Sequence, residues 1–217
     1  YGQSSYQEFV YDSYVRDLNA DFSSTRNVEE DYKRIRDMSQ PSTYDYIDRL
    51  GKGMFASKLF TYDPTTKRYG NRNFDMLDTF PYQNHLNKNP LVSKNAIYRY
   101  GAMINTMSKY TGNFSGYGDV TNVQSMQNRL SSLSQLDSSK LEINVQGRLD
   151  YTVGLKVYLK IYKNEPMEET TQQVLNELLS GYYIITAINH YINREIHECT
   201  IELSKDSYIT NLDDKNG

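Results

Sequence analysis

The stretch Gly181–Ser207, GYYIITAINHYINREIHECTIELSKDS, decides how the rest of the chain is read. Ile184, Thr186, Ile188 and His190 alternate with Tyr183, Ile185, Ala187, Asn189 and Tyr191. Beyond Asn193-Arg194, Ile196, Glu198, Thr200 and Glu202 alternate with His197, Cys199, Ile201 and Leu203. Period-two patterning in β-branched and aromatic residues predicts two long strands. A two-residue turn at Asn193-Arg194 makes them a hairpin, with Ile188 opposite Cys199 and His190 opposite His197. One face then carries Ile184, Ile188, Cys199, Ile201 and Leu203 and is expected to pack. The other carries Asn189, Glu198, Thr200 and Glu202 and is expected to meet water or a partner.

Upstream of the hairpin the same pattern recurs. Leu155, Val157, Leu159 and Ile161 alternate with Lys156, Tyr158, Lys160 and Tyr162, the cleanest strand pattern in the chain. Leu141, Ile143 and Val145 alternate with Glu142, Asn144 and Gln146 and give another strand. Between these strands and the hairpin, Pro166 and Glu168-Glu169 open a predicted helix carrying Val174, Leu175, Leu178 and Leu179, ended by Gly181. A second amphipathic helix starts at Thr121 or Asn122 and carries Val123, Met126, Leu130, Leu133 and Leu136 at steps of three and four. Further back, Met54–Tyr62 reads as a strand and Asp63-Pro64-Thr65-Thr66 as a turn. Tyr44, Ile47 and Leu50 mark a short helix stopped by Gly51 and Gly53, and Asp31–Met38 is a candidate strand. Asn95–Ile104 is a weaker strand candidate inside an Asn-rich, irregular stretch.

These elements predict an α+β fold: an antiparallel β-barrel with short helices packed on it and an irregular inserted subdomain. Residues 31–69 and 140–208 would build the barrel and 70–139 the insertion. Residues 1–30, with Phe9, Val10, Tyr14 and Leu18 at helical spacing, are read as an arm or the end of a preceding domain. Residues 209–217 are read as a tail. The expected barrel core is Leu155, Val157, Leu159, Ile184, Ile188, Ile201 and Leu203. Gly53, Gly154 and Gly181 are the expected structural glycines.

Composition narrows the function classes. The 217 residues are 38% hydrophobic with a mean hydropathy of -0.73, yet include 21 Tyr, 7 Phe and no Trp. Disordered chains are poor in aromatics, so a folded chain is expected. Tyr suits surfaces that must be both apolar and wet, which points to an assembly component. A net charge of -3 argues against broad binding to nucleic-acid phosphates. One cysteine, Cys199, leaves no internal disulfide framework. No apolar run is long enough to span a bilayer, so no membrane anchor is expected. The chain begins at Tyr1 rather than Met and is expected to be a processed product or part of a longer protein.

The sequence offers little catalytic chemistry. It has no Gly-rich phosphate loop, no paired CxxC, no HExxH and no Gly-x-Ser-x-Gly. His85 stands alone in an Asn-rich loop, and Glu165, Glu168 and Glu169 read as a solvated helix start. The one constellation is His190, His197 and Cys199, expected on one face of the hairpin. Imidazole and thiolate donors suit zinc, but no fourth donor is evident. A cross-strand histidine pair beside a buried thiol is the preferred reading, with no metal and no cofactor expected.

The last third resembles the central baseplate hub proteins of contractile-tailed, T-even-like bacteriophages. It is more distantly similar to late-control hub proteins and to the hub part of type VI secretion spikes. The resemblance rests on the helix through Leu130 and Leu136, on INVQGRLDYTVGLKVYL (Ile143–Leu159), LSGYYIITAINHYI (Leu179–Ile192) and ECTIELSKDS (Glu198–Ser207), and on YIDRLGKGMFASKLFTYDPTTKRY (Tyr46–Tyr69). It spans residues 30–80 and 120–208. The connection 163–178 is longer than the family pattern, and residues 1–30 have no counterpart. The resemblance implies a tail-tube-like barrel, the second of the hub, with its inserted domain. It implies a non-enzymatic virion component: a homotrimeric, pseudo-sixfold ring linking the central spike to the tail tube. Implied partners are the spike, a tail-tube or tube-initiator protein and baseplate wedge proteins, with DNA met only in passing through the channel. Assembly would take place in the host cytoplasm. The alternatives are another tail-tube or adaptor protein of the same virion, or a spike-associated cell-wall hydrolase. The last would need a carboxylate pair.

Overall fold

The computed structural model describes residues 7–11, 32–40, 46–63, 67–95, 104–108, 120–163 and 174–213. The strands in chain order are β1 (Gln7–Tyr11), β2 (Ile35–Ser39), β3 (Ala56–Asp63), β4 (Arg68–Asp75), β5 (Asn89–Pro90), β6 (Ile104–Ser108), β7 (Lys140–Gln146), β8 (Lys156–Ile161), β9 (Gly181–Ile192), β10 (His197–Ser204) and β11 (Ser207–Tyr208). The helices are α1 (Tyr46–Gly51), α2 (Met76–Thr79) and α3 (Val120–Ser138). The chain divides into two compact units. One comprises residues 1–42, 86–89 and 139–211, the other 43–85, 90–138 and 212–217.

The first unit is mostly β. Its six-stranded sheet has the order β1-β8-β9-β10-β7-β2. Neighbours run antiparallel except β1, which lies parallel to β8. The two edge strands approach through a parallel bridge, Val10 to Arg34, so the sheet curls into a nearly closed, barrel-like layer. Alternation explains which side chains fill it. Leu141, Ile143 and Val145 of β7, Val157, Leu159 and Ile161 of β8, and Cys199, Ile201 and Leu203 of β10 all point inward and are buried. Leu155 is half-buried against this cluster. Each such aliphatic side chain contributes roughly 1.5–3 kcal/mol by leaving water.

Strand β9 departs from its expected phase. Tyr183 and Ile185 are the buried residues, while Ile184 turns away from the core and Ile188 is only half-buried against it. The cause is a register shift between Glu202 and Leu203: Ala187 pairs with Glu202 but Ile185 pairs with Leu203, so Thr186 is an extra residue on β9. The Thr186 hydroxyl donates to the Glu202 carboxylate at 2.8 Å and holds this bulge. The hairpin end also differs. The turn covers Asn193 to Ile196, closed by Asn193 N–H donating to Ile196 O at 3.0 Å. The Asn193 side-chain oxygen accepts from the N–H groups of Glu195 and Ile196. The longer turn slides the pairing by two residues, so Cys199 faces His190 and Ile201 faces Ile188.

Three further expectations are corrected. Within residues 1–30, β1 is a strand of the barrel sheet rather than an arm, with Phe9 1% exposed and its ring 5.8 Å from that of Tyr151. The helix expected to open at Pro166 begins outside the described residues. Its second half is a turn instead: Leu175 bridges Tyr162, and the Asn176 side chain accepts from the N–H groups of Leu178 and Leu179. Residues 86–89, expected in the insertion, belong to the barrel unit. Asn87 substitutes there for a paired strand, accepting from Tyr182 N–H at 2.9 Å and donating to the carbonyls of Tyr182 and Ser207 at 3.0 Å each. In the expected tail, Ile209 O accepts from the Asn89 side chain at 2.5 Å.

Gly53, Gly154 and Gly181 have φ of 84°, 91° and 134°. At Gly181 a Cβ would lie 2.9 Å from Asn87 Oδ1 and 3.1 Å from Ile209, whereas at Gly154 it would meet nothing. We expect Gly181→Ala to cost about 2–3 kcal/mol in urea denaturation and Gly154→Ala about 1 kcal/mol, since only the first adds a clash to the backbone strain. Equal costs would show that the packing around Gly181 contributes nothing.

The second unit contains the strand expected to complete the barrel. β3 pairs antiparallel with β4 and parallel with β6, so both its edges are occupied within a separate three-stranded sheet. The grouping of residues 31–69 with 140–208 is corrected accordingly. The inserted region is ordered around its own core of Met54, Phe55, Phe74, Met76 and Val92. α2 is capped by Asp75, whose carboxylate accepts from Leu77 N–H at 2.9 Å. Of the candidate strand Asn95–Ile104, residues 96–103 lie outside the described residues, and β6 follows at Ile104.

α3 is helical as its period predicts, but it packs on its polar side. Gln127, Ser131, Ser134 and Gln135 are buried, while Leu130 and Leu133 are exposed. The buried side chains answer backbone needs. The Gln127 amide donates to Ser57 O at 3.3 Å and to Ser57 Oγ at 3.0 Å, and the Ser131 hydroxyl donates to Met54 O at 2.5 Å. The helices α1, α2 and α3 thus belong to this unit rather than to the barrel unit.

Candidate functional site

Alternation on β9 and β10 brings His190, His197 and Cys199 to one face at the hairpin end. Cys199 sits directly across from His190, and His197 lies two residues along β10, on the same face. Cys199 Sγ is 3.0 Å from His190 Nδ1, His190 Nδ1 is 3.2 Å from His197 Nε2, and Sγ is 3.9 Å from His197 Nε2. The thiol is fully buried, His197 is half-buried and His190 is exposed. The pocket of donors therefore has a closed floor and an open roof. Below it, Val145 pairs with Cys199 and is itself fully buried. Burial pushes the Cys199 thiol above its ordinary range.

The residue that sequence reasoning missed is Gly147. It follows β7 and donates its N–H to His197 O at 2.8 Å. The His197 ring lies so close that a Cβ at position 147 would fall 2.2 Å from Cδ2 and 2.3 Å from Cγ. Only glycine leaves room for the imidazole there. The local sequence signal was a glycine ending an alternating strand, which marks a close backbone approach without naming its partner.

Beside this cluster, β1 and the residues leading into β2 part to leave a cleft of about 390 Å³, lined by Gln7, Glu8, Phe9, Tyr32, Lys33, Arg148 and Tyr151. The Arg148 guanidinium lies 5.3 Å over the Tyr32 ring and donates to Asp150 at 2.9 Å. The Asp150 hydrogen bond raises the Arg148 pKa further, and burial pushes the Tyr151 phenol up to about 12. Both groups hold their protons at neutral pH, so neither serves as a general base.

Lys205 is a second group whose chemistry the sequence did not show. It is 1% exposed, with Nζ donating to Leu178 O and lying 4.7 Å and 4.8 Å over the rings of Tyr183 and Tyr208. Burial lowers its pKa to about 7. His85 is not joined to the cluster; its ring stacks on Phe80 with centroids 3.7 Å apart. Glu165, Glu168 and Glu169 lie outside the described residues.

No family model and no curated protein matches the chain. Among solved structures, the chain is similar over 78% of its length to a tail protein from Neisseria meningitidis MC58, with 11% identity and a TM-score of 0.30. It spans 39% of that chain. A likeness this loose fixes neither the role of the present chain nor its partners.

Proposed function

We propose that this chain is a structural, non-enzymatic component of a contractile-tail baseplate. It acts as a hub-type subunit in a ring, a trimer in the simplest case, that joins the central spike to the tail tube. The observation that carries this reading is the nearly closed barrel together with its apolar hairpin end. Tyr191 and Ile192 are each 62% exposed and Ile196 is 44% exposed. Large apolar side chains gathered at one end of a folded unit mark an interaction surface. A curled sheet with few free edges lets identical units stand side by side without open-ended growth, and a cyclic arrangement closes a head-to-tail interface. The sequence resemblance of residues 30–80 and 120–208 to baseplate hubs names the assembly.

The test is the solution mass of the full-length parent protein by light scattering, alone and with its spike protein. A trimer, alone or formed on adding the spike, is expected. A monomer under both conditions would overturn the ring and leave an adaptor of the same tail as the better reading.

A further inference from the structure

We infer that His190, His197 and Cys199 form a transition-metal site of the zinc class, with one coordination position open to solvent. Tetrahedral zinc bound at ordinary Zn–N and Zn–S lengths holds its donor atoms about 3.3–3.6 Å apart. The three donors here are separated by 3.0, 3.2 and 3.9 Å, so shifts of a few tenths of an ångström bring them onto one ion. His190 would coordinate through Nδ1, His197 through Nε2 and Cys199 through Sγ.

Hydrogen bonding alone accounts for this geometry poorly. A neutral imidazole Nδ1 that accepts has one lone pair. His190 Nδ1 can take a proton from the Cys199 thiol or from His197 Nε2–H, but not from both. Yet both atoms lie within 3.2 Å of it. A cation draws on one lone pair from each of the three donors at once.

Two features of the surroundings fit the same reading. Gly147 leaves the space that lets the His197 ring stand over the thiol, which fixes the direction of Nε2. The buried floor under Cys199 keeps water from the sulfur side while the exposed His190 side stays accessible. Three protein donors with an open fourth place is the arrangement that leaves room for water or an added ligand. On binding, the thiol proton leaves to solvent and the thiolate donates its pair to the metal. The sequence alone favoured a plain histidine pair because the donor distances cannot be read from alternation.

The test uses the reduced full chain, stripped with chelator and titrated with Co2+ and then Zn2+. We expect one equivalent of Co2+ to give the intense visible bands of tetrahedral coordination and a thiolate charge-transfer band, both lost when Zn2+ displaces it. Zn2+ should also raise the melting temperature. His190→Ala changes an exposed side chain and should fold normally, yet weaken Co2+ binding by at least about 100-fold, given that even outer partners of metal ligands are worth 10–100-fold. Cys199→Ser should remove the charge-transfer band. Gly147→Ala keeps all three donors but displaces the His197 ring, and should weaken binding about tenfold or more. Absence of the bands in the unsubstituted chain, or the same bands and affinity in folded His190→Ala, would overturn the site. Neither outcome bears on ring assembly, which is read from mass.

Discussion

Ile201→Asp is expected to leave no cooperative unfolding transition by circular dichroism or calorimetry. Ile201 is fully buried at the centre of the barrel sheet, paired with Ile143 on β7 and Ile188 on β9. A carboxylate there loses its hydration among the aliphatic side chains of Leu141, Ile143, Val145, Val157, Leu159 and Leu203. An unpaired buried charge costs several kcal/mol even when the group answers by taking up a proton. The lost aliphatic contacts add about 2–4 kcal/mol. Together these approach the whole stability of an ordinary domain, about 5–15 kcal/mol. Leu203→Asp should behave the same way, while Thr200→Asn on the opposite face should melt normally. A sharp, reversible melt for Ile201→Asp would mean that the inward face of β10 has been misassigned.

Lys205→Met is expected to do the reverse and stabilise the protein, by an amount that depends on pH. The folded chain holds the Lys205 ammonium away from water, and its pKa falls from the ordinary 10.5 to about 7. The gap corresponds to on the order of 5 kcal/mol. Below pH 7 both folded and unfolded chains carry the proton, so the full net cost of burying the charge is present. Between about 7 and 10.5 the unfolded chain holds a proton that the folded chain lacks, so stability rises with pH across this window. The methionine variant has no such dependence. Its advantage in urea denaturation should be on the order of 5 kcal/mol at pH 6 and should fall away toward pH 10. A gain that is the same at pH 6 and pH 9 would show that the ammonium is not the source of the cost.

How much of this was legible in the sequence depended on contrast between the two faces of each strand. β7, β8 and β10 alternate aliphatic with polar residues, so their inward sets could be read directly. On β9 both sets are apolar near Gly181: Tyr183 and Ile185 compete with Ile184. The bulge at Thr186 decided between them through a hydrogen bond to another strand, which no local pattern reports. The histidine and cysteine shared one face despite the longer turn because a two-residue slip preserves parity. Their distances depend on how the two strands pair across the turn, and the role of Gly147 on its contact with His197, fifty residues away in sequence. α3 was legible as a helix but not in its facing. Gln127 and Ser131 bury because the carbonyls of Ser57 and Met54 accept from them, and Gln135 follows by donating to the Ser131 hydroxyl.

The order in which the chain visits its two units has a consequence for inheritance. Residues 1–42, 86–89 and 139–211 make one unit and the stretches between and after them make the other. Gene exchange moves contiguous segments, and no single crossover within this region can replace one unit while leaving the other intact. A crossover near residue 138 would split the barrel sheet, separating β1 and β2 from β7 to β10. Asn87 would be parted from Ser207, whose carbonyl it binds. The two units therefore travel as a pair through recombination. Their sequences should diverge together along a lineage, even where the surrounding genome is assembled from pieces of separate ancestry.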